Sequence, residues 1–430
     1  MLNLQIYCTE VTPRLRYISA FVFTEILNID TVEFITTPDF TAPLRICYHT
    51  TSEEGAFHIV PFGLLSERGL RLQPLQSMEF EKECIFFPVG NGDLPFDFLS
   101  AAFFLLSRYE EYLPGLRDEH QRFPAAYSTA MHMGFLHRPY IDVWAGKIAQ
   151  RLSTMFNLSI GYRGRYNAQI SIDVDFPFAF KGRSKKALGL RLVKDVVKWR
   201  SELARERIKY LKTGQDPYDT FAHIDQRAIT KNLPLTYFCQ TGNNGKYDHN
   251  LLPSNPAYTQ LIRHIGEQHN IGLHPSYQSV DRPGLLLEER ERLESVLQHK
   301  VFAARQHYIR VKTPYYYRHL LEIGITDDYS MGYVQQVGFR ASTARSFLFY
   351  DLEKENVTSL RLHPFISMDS VFIYHLQTGS DKALQISRLL IEEAKKVEGT
   401  AHTVFHNPVL SDCFEWQGWS GYFDQLTEML

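Results

Sequence analysis

Apolar and polar residues alternate through Asn167–Phe178, NAQISIDVDFPF. Ile170 and Ile172 flank Ser171, and Asp173 and Asp175 follow one residue apart. This is the pattern of a strand. Side chains two apart on a strand face one way, so both carboxylates are expected on the same side, close enough to share a metal or a proton. Pro177 has no N–H to give to a sheet ladder and closes the strand.

Downstream, strand-like and helix-like runs take turns. Strands are predicted at Leu235–Cys239, Ile271–Leu273, Ala303–His307, Ser359–Leu362 and Thr403–His406. Helices are predicted at Tyr258–Gln268, Leu286–Leu297, Tyr317–Ile323, Lys382–Val397 and Trp419–Leu430. Alternation of this kind builds a parallel sheet or barrel.

The first block, residues 1–160, mixes helical spacing (Arg14–Ile26, Phe96–Leu113, Tyr140–Met155) with short strand-like runs (Val32–Ile35, Leu44–Tyr48, Ile59–Pro61, Cys84–Val89). It is expected to form an α+β domain. His120, His132 and His137 lack ligand spacing and are taken as core or surface residues. The polar stretch Gly161–Arg165 marks a boundary, which leaves 165–430 as the second domain.

Composition narrows the class. The chain has 430 residues, 44% hydrophobic and 22% charged, an ordinary globular balance. Its net charge of −2 gives no footprint for nucleic acid. Thirty Phe and 24 Tyr can fill a large core or line a groove where sugar rings stack. Five scattered cysteines without a CxxC imply no disulfide framework. The N-terminus lacks the pattern of a signal peptide, and the longest apolar run, Phe96–Leu106, is too short to span a bilayer. The expected location is cytoplasmic. One segment departs from the average: Lys181–Lys212 carries twelve Lys and Arg against Asp195, Glu202 and Glu206, with leucines and valines near helical spacing. It is read as a basic amphipathic helix or helix pair. It either packs as a solvated helix or makes peripheral contact with anionic lipid or a phosphate-bearing substrate.

Polar residues recur after successive strands: His274, Arg305, Arg340, His363 with Asp369, and His406 with Asn407. Asp327, Asp328 and Tyr329 follow a helix and are counted with them. Such recurrence suits a site on the C-terminal face of a barrel. Asp175 and His274 offer the O and N donors of a hard or borderline metal. Asp173 stands beside them as a base, and His406 has the chemistry of an acid.

The order of these motifs resembles the polysaccharide deacetylase family (the NodB-homology domain, carbohydrate esterase family 4) over residues 165–430. The first block is similar to the domain that precedes such modules in Bacteroidetes-type proteins. The resemblance implies a distorted (β/α)7-type barrel and metal-dependent removal of an acetyl group from an N-acetylated sugar or lipid-linked glycan. It makes Asp173 the base, Asp175 and His274 metal ligands, Arg305 the orienter of Asp173, and His406 the last catalytic residue. The expected metal is zinc. Tyr277, Tyr308, Arg340 and Asn407 are expected to bind substrate. The family's second motif has another His four residues after the first, where this chain has Gln278. Gln278 is therefore the expected third ligand, with Asp248 and His249 in KYDHN as further candidates. The alternative is a non-catalytic carbohydrate-binding relative that has lost a metal ligand.

Overall fold

The computed structural model describes all 430 residues. In chain order its strands are β1 Asn3–Tyr7, β2 Thr31–Ile35, β3 Leu44–Tyr48, β4 Phe57–Ile59, β5 Met78–Phe80, β6 Glu83–Ile85, β7 Asn167–Val174 and β8 Leu235–Cys239. They continue with β9 Asn270–Leu273, β10 Ala303–Ala304, β11 Asp327–Met331, β12 Phe347–Asp351, β13 Asn356–Pro364, β14 Ser367–Met368 and β15 Thr400–His406. One nine-stranded sheet runs in the order β12-β13-β11-β10-β9-β8-β7-β15-β14. Every neighbouring pair in it is parallel except β12 and β13, joined as an antiparallel hairpin. The architecture is therefore α/β, as the alternation predicts. The sheet is curled and open: its edge strands β12 and β14 do not pair. Eight strands share one direction, one more than a seven-fold barrel would have.

Residues 1–160 carry a separate four-stranded sheet, β2-β1-β3-β4, whose strands are all parallel. The two-stranded β5-β6 ribbon stands apart from it. Helix Phe98–Leu106 is buried on every side, as its unbroken apolar sequence requires. The hydrophobic core runs without interruption from this block into the large sheet. Tyr17 packs against Tyr350 at a tilt and donates to Leu348 O of β12, so the first block covers the edge strand. That contact hides backbone groups which would otherwise invite another chain.

Two predicted elements change. The strand expected over Ala303–His307 pairs only at Ala303–Ala304. Beyond it the chain turns into a short 3-10 segment, His307–Ile309, with Tyr308 and Ile309 at positive φ (61° and 50°). Asp327 and Asp328, counted from sequence with the polar residues at strand ends, instead open β11. Asp327 binds His363, while Asp328 is held by Ser330 and Tyr316, so neither reaches the site.

Candidate active site

Strand register sets the site. Val174, Cys239, Leu273 and Ala304 lie side by side across β7, β8, β9 and β10. The residues that follow each of them, Asp175, Gln240, His274 and Arg305, leave the sheet as one row. On the other flank of β7, His406 of β15 is paired with Asp173. Five predicted residues from strands far apart in sequence thus come to the same end of the sheet.

Asp175, His274 and His307 form the centre, with one ligand atom from each within 4.8 Å of the others. His274 Nε2 is 3.0 Å from Asp175 Oδ1, and His307 Nε2 is 3.5 Å from Asp175 Oδ2. The other ring nitrogens are occupied. His274 Nδ1 donates to the carbonyl of Arg305 over 2.6 Å, and His307 Nδ1 donates to Asp248 Oδ1 over 2.8 Å. When the rings are neutral, these bonds leave each Nε2 lone pair facing a carboxylate. His274 Nε2 and Asp175 Oδ1 are buried and make no hydrogen bond with each other or with anything else. Two acceptors held face to face repel unless a proton or a cation lies between them. Burial alone would raise the Asp175 carboxyl. The histidines beside it, His307 first, instead hold it well below the usual carboxylate range. Burial likewise opposes charge on His307, but Asp175 and Asp248 on either side raise it to about 9. A proton or a metal can supply the positive charge this pocket favours, and a metal would displace the proton. Two imidazoles, one carboxylate and an open side are the donor set of a catalytic zinc site.

Around this centre are two supporting pairs. Arg305, fully buried, donates to Asp173 Oδ1 over 2.7 Å. Its Nε donates to Tyr329 O, and its guanidinium lies over the Phe238 ring, which leaves it little freedom. His406 Nδ1 bonds Asp369 Oδ1 at 2.6 Å, and its Nε2 is 3.8 Å from Asp175 Oδ2. Burial would lower His406, yet Asp369 raises it to about 10, so it carries a proton at neutral pH.

A cavity of about 370 Å³ opens over these groups. Asp173, Asp175, His274, His307, Tyr308 and His406 line it, with apolar walls from Phe176, Met368, Val409 and Trp416. The first block contributes as well: Glu119, His120 and Arg122 reach the rim. His120, read from sequence as a core or surface residue, packs against Tyr247, Tyr277 and Tyr308. Arg122 donates to Tyr308 O over 2.9 Å and so holds the left-handed turn that follows His307. Each residue held there costs on the order of 1–3 kcal/mol, a strain found where side-chain aim matters.

Residues 4–157 match DUF7033, a family of unknown function. No curated protein matches the sequence. Among solved structures, the chain is similar to proteins named as polysaccharide deacetylases. One from Mycobacterium smegmatis is 14% identical at a TM-score of 0.39, over 61% of this chain and 83% of that one. One from Pseudomonas aeruginosa PAO1 is 10% identical at 0.37, over 62% and 84%. One from Bacillus cereus is 10% identical at 0.29, over 61% and 86%. At these values the likeness decides nothing about this chain's chemistry, which has to be read from its side chains.

Several predicted residues stand elsewhere. Gln278 is exposed and outside the donor cluster; His307 fills the position expected of it. His249 is exposed too, whereas Asp248 binds His307 instead of facing Asp175. Arg340 makes a bidentate pair with Glu111 and donates to Gly332 O, so it joins the two blocks and does not line the cavity. Tyr277 sits behind Tyr308 and bonds His120. Asn407 is buried and donates to Phe176 O and Tyr218 O, holding the wall rather than facing the cavity. His307 was legible as a residue, in RQHY, but only its turn brings it to His274.

Proposed function

We propose that the cavity is a metal-dependent hydrolytic site that removes an acetyl group from the nitrogen of an N-acetylated sugar. The observation that carries this reading is the Asp175–His274–His307 cluster, its donor groups converged and His274 Nε2 and Asp175 Oδ1 left without hydrogen-bond partners, beside Asp173 and His406. The sugar comes from the motif resemblance, and the aromatic walls suit a pyranose ring.

Asp175, His274 and His307 would hold zinc. When bound, the metal polarises the acetyl carbonyl and makes water a better nucleophile at neutral pH. The rest is the work of side chains. Asp173, fixed by Arg305, accepts the proton from water as its oxygen bonds to the carbonyl carbon. His406, held protonated by Asp369, gives a proton to the nitrogen as the C–N bond breaks. The products are acetate and a free amine on the sugar. Phe176, Met368 and Trp416 limit solvent around the reacting bond.

Acetate release from N-acetylglucosamine oligomers by zinc-loaded protein tests the reading. Turnover that disappears with a chelator, returns with zinc and is lost in Asp173→Asn is the expected result. Metal-loaded protein that binds these oligomers without releasing acetate would replace it with a glycan-binding role.

A further inference from the structure

The basic segment forms two helices, Lys185–Val197 and Ser201–Thr213, joined at Lys198–Arg200. Leu188 and Asp195, seven residues apart, face inward, and Asp195 is paired with buried Arg207. Most other apolar residues of the first helix are on the other side. Leu190, Val193, Val196 and Val197 are 68, 63, 60 and 70% exposed, and Trp199 at the turn is 93% exposed. Leu190, Val193 and Val197 follow helical spacing, so they form one outward stripe. Core packing therefore does not account for them.

Charge on this surface has one sign. Lys185, Lys186, Arg191, Lys194, Lys198 and Arg200 are exposed. The three acids of the two helices are withdrawn: Asp195 to Arg207, Glu202 to the backbone N–H of Phe414, and Glu206, half-buried, beside Lys209. Exposed apolar side chains ringed by cations, with no exposed acid, complement a surface with anionic headgroups over an apolar layer. No helix is long and apolar enough to cross a membrane. The bond from Phe414 to Glu202 ties the hairpin to the chain just before Trp416, which lines the cavity.

We propose that this hairpin docks the protein on anionic phospholipid bilayers, with Trp199 and the valines inserted at headgroup depth and the cations at the phosphates. The site then opens beside the membrane, and substrates attached to lipid become accessible to it. Docking does not depend on the hydrolytic reading, since lipid binding and acetate release are measured separately.

The test is co-sedimentation of the full chain with vesicles of phosphatidylcholine alone and of phosphatidylcholine mixed with phosphatidylglycerol. Binding is expected to the mixed vesicles only, and to fade as salt rises. Replacing Lys185, Lys186, Arg191, Lys194 and Lys198 by Gln should weaken partition by roughly tenfold or more. Trp199→Ala should weaken it independently. Brominated lipid should quench wild-type fluorescence more than that of Trp199→Phe. Equal binding to both vesicle types, no binding at low salt, or unchanged binding by the five-fold Gln variant would overturn the proposal. A concentration-dependent dimer abolished by Trp199→Ala would overturn it too, by giving the stripe a protein partner.

Discussion

His307 donates its Nδ1 proton to Asp248 over 2.8 Å, and this turns its Nε2 toward Asp175. Asp248 in turn accepts from Gln240 and from the backbone N–H of Tyr277. A carboxylate behind an imidazole fixes its tautomer and raises its basicity. Asp248 thus acts through His307, and Gln278 has no part in the cluster.

His307→Ala should abolish stoichiometric zinc binding, whereas Gln278→Ala should leave it intact. Asp248→Asn should retain the site but weaken it by roughly 10–100-fold, the usual loss when the partner of a ligating histidine is changed. Elemental analysis after dialysis against graded chelator separates the three. Zinc retained by His307→Ala would place the third ligand elsewhere.

Asp173→Asn should lower turnover by at least ~10²-fold with little change in substrate affinity, because an amide cannot take the proton from water. Acetate release and calorimetric titration measure the two quantities. Near-normal turnover would assign the base to another group.

Asp369→Asn should move the basic limb of the pH–rate profile to lower pH. His406 acts in its protonated form, and Asp369, ahead of Asp175 and Asp173, is the main influence that raises it to about 10 against the opposing effect of burial. Without the carboxylate, burial prevails and the proton leaves at lower pH. A basic limb that stays in place would exclude His406 as the acid.

Glu111 predicts acid sensitivity of the junction between the two blocks. Burial would raise its carboxyl, but Arg340 and Arg108 bring it down from 4.5 to about 2. A group depressed in the folded state stabilises fully above its unfolded pKa. That contribution, roughly 3 kcal/mol, is lost as pH falls from about 4.5 through about 2. Glu111→Gln should destabilise the protein at neutral pH, since it leaves buried Arg340 without its carboxylate and Arg108 with Glu110 alone. It should also flatten the acid limb of stability. Denaturant unfolding of both proteins across that pH range checks this, and parallel pH dependences would locate the acid sensitivity elsewhere.

Legible in the sequence were the alternating α/β class, the acid pair at the end of β7, His274 and Arg305 just after β9 and β10, and His406 at the end of β15. These features are local: period-two alternation sets which way Asp173 faces, and each strand delivers its next residue at its own tip. The sequence also marked Lys181–Lys212 as an amphipathic basic pair, because charge and helical spacing are sequence properties. Tertiary structure alone decided which donors meet. His307 reaches His274 because β10 stops at Ala304 and the chain enters a left-handed turn held by Arg122, from a block nearly two hundred residues earlier. Arg340 turns to Glu111 for the same kind of reason: a buried guanidinium goes to the carboxylate that can neutralise it, and that carboxylate lies in the other block. Such pairings depend on which strands become neighbours and on what burial leaves uncompensated, and neither is written in the spacing of residues along the chain.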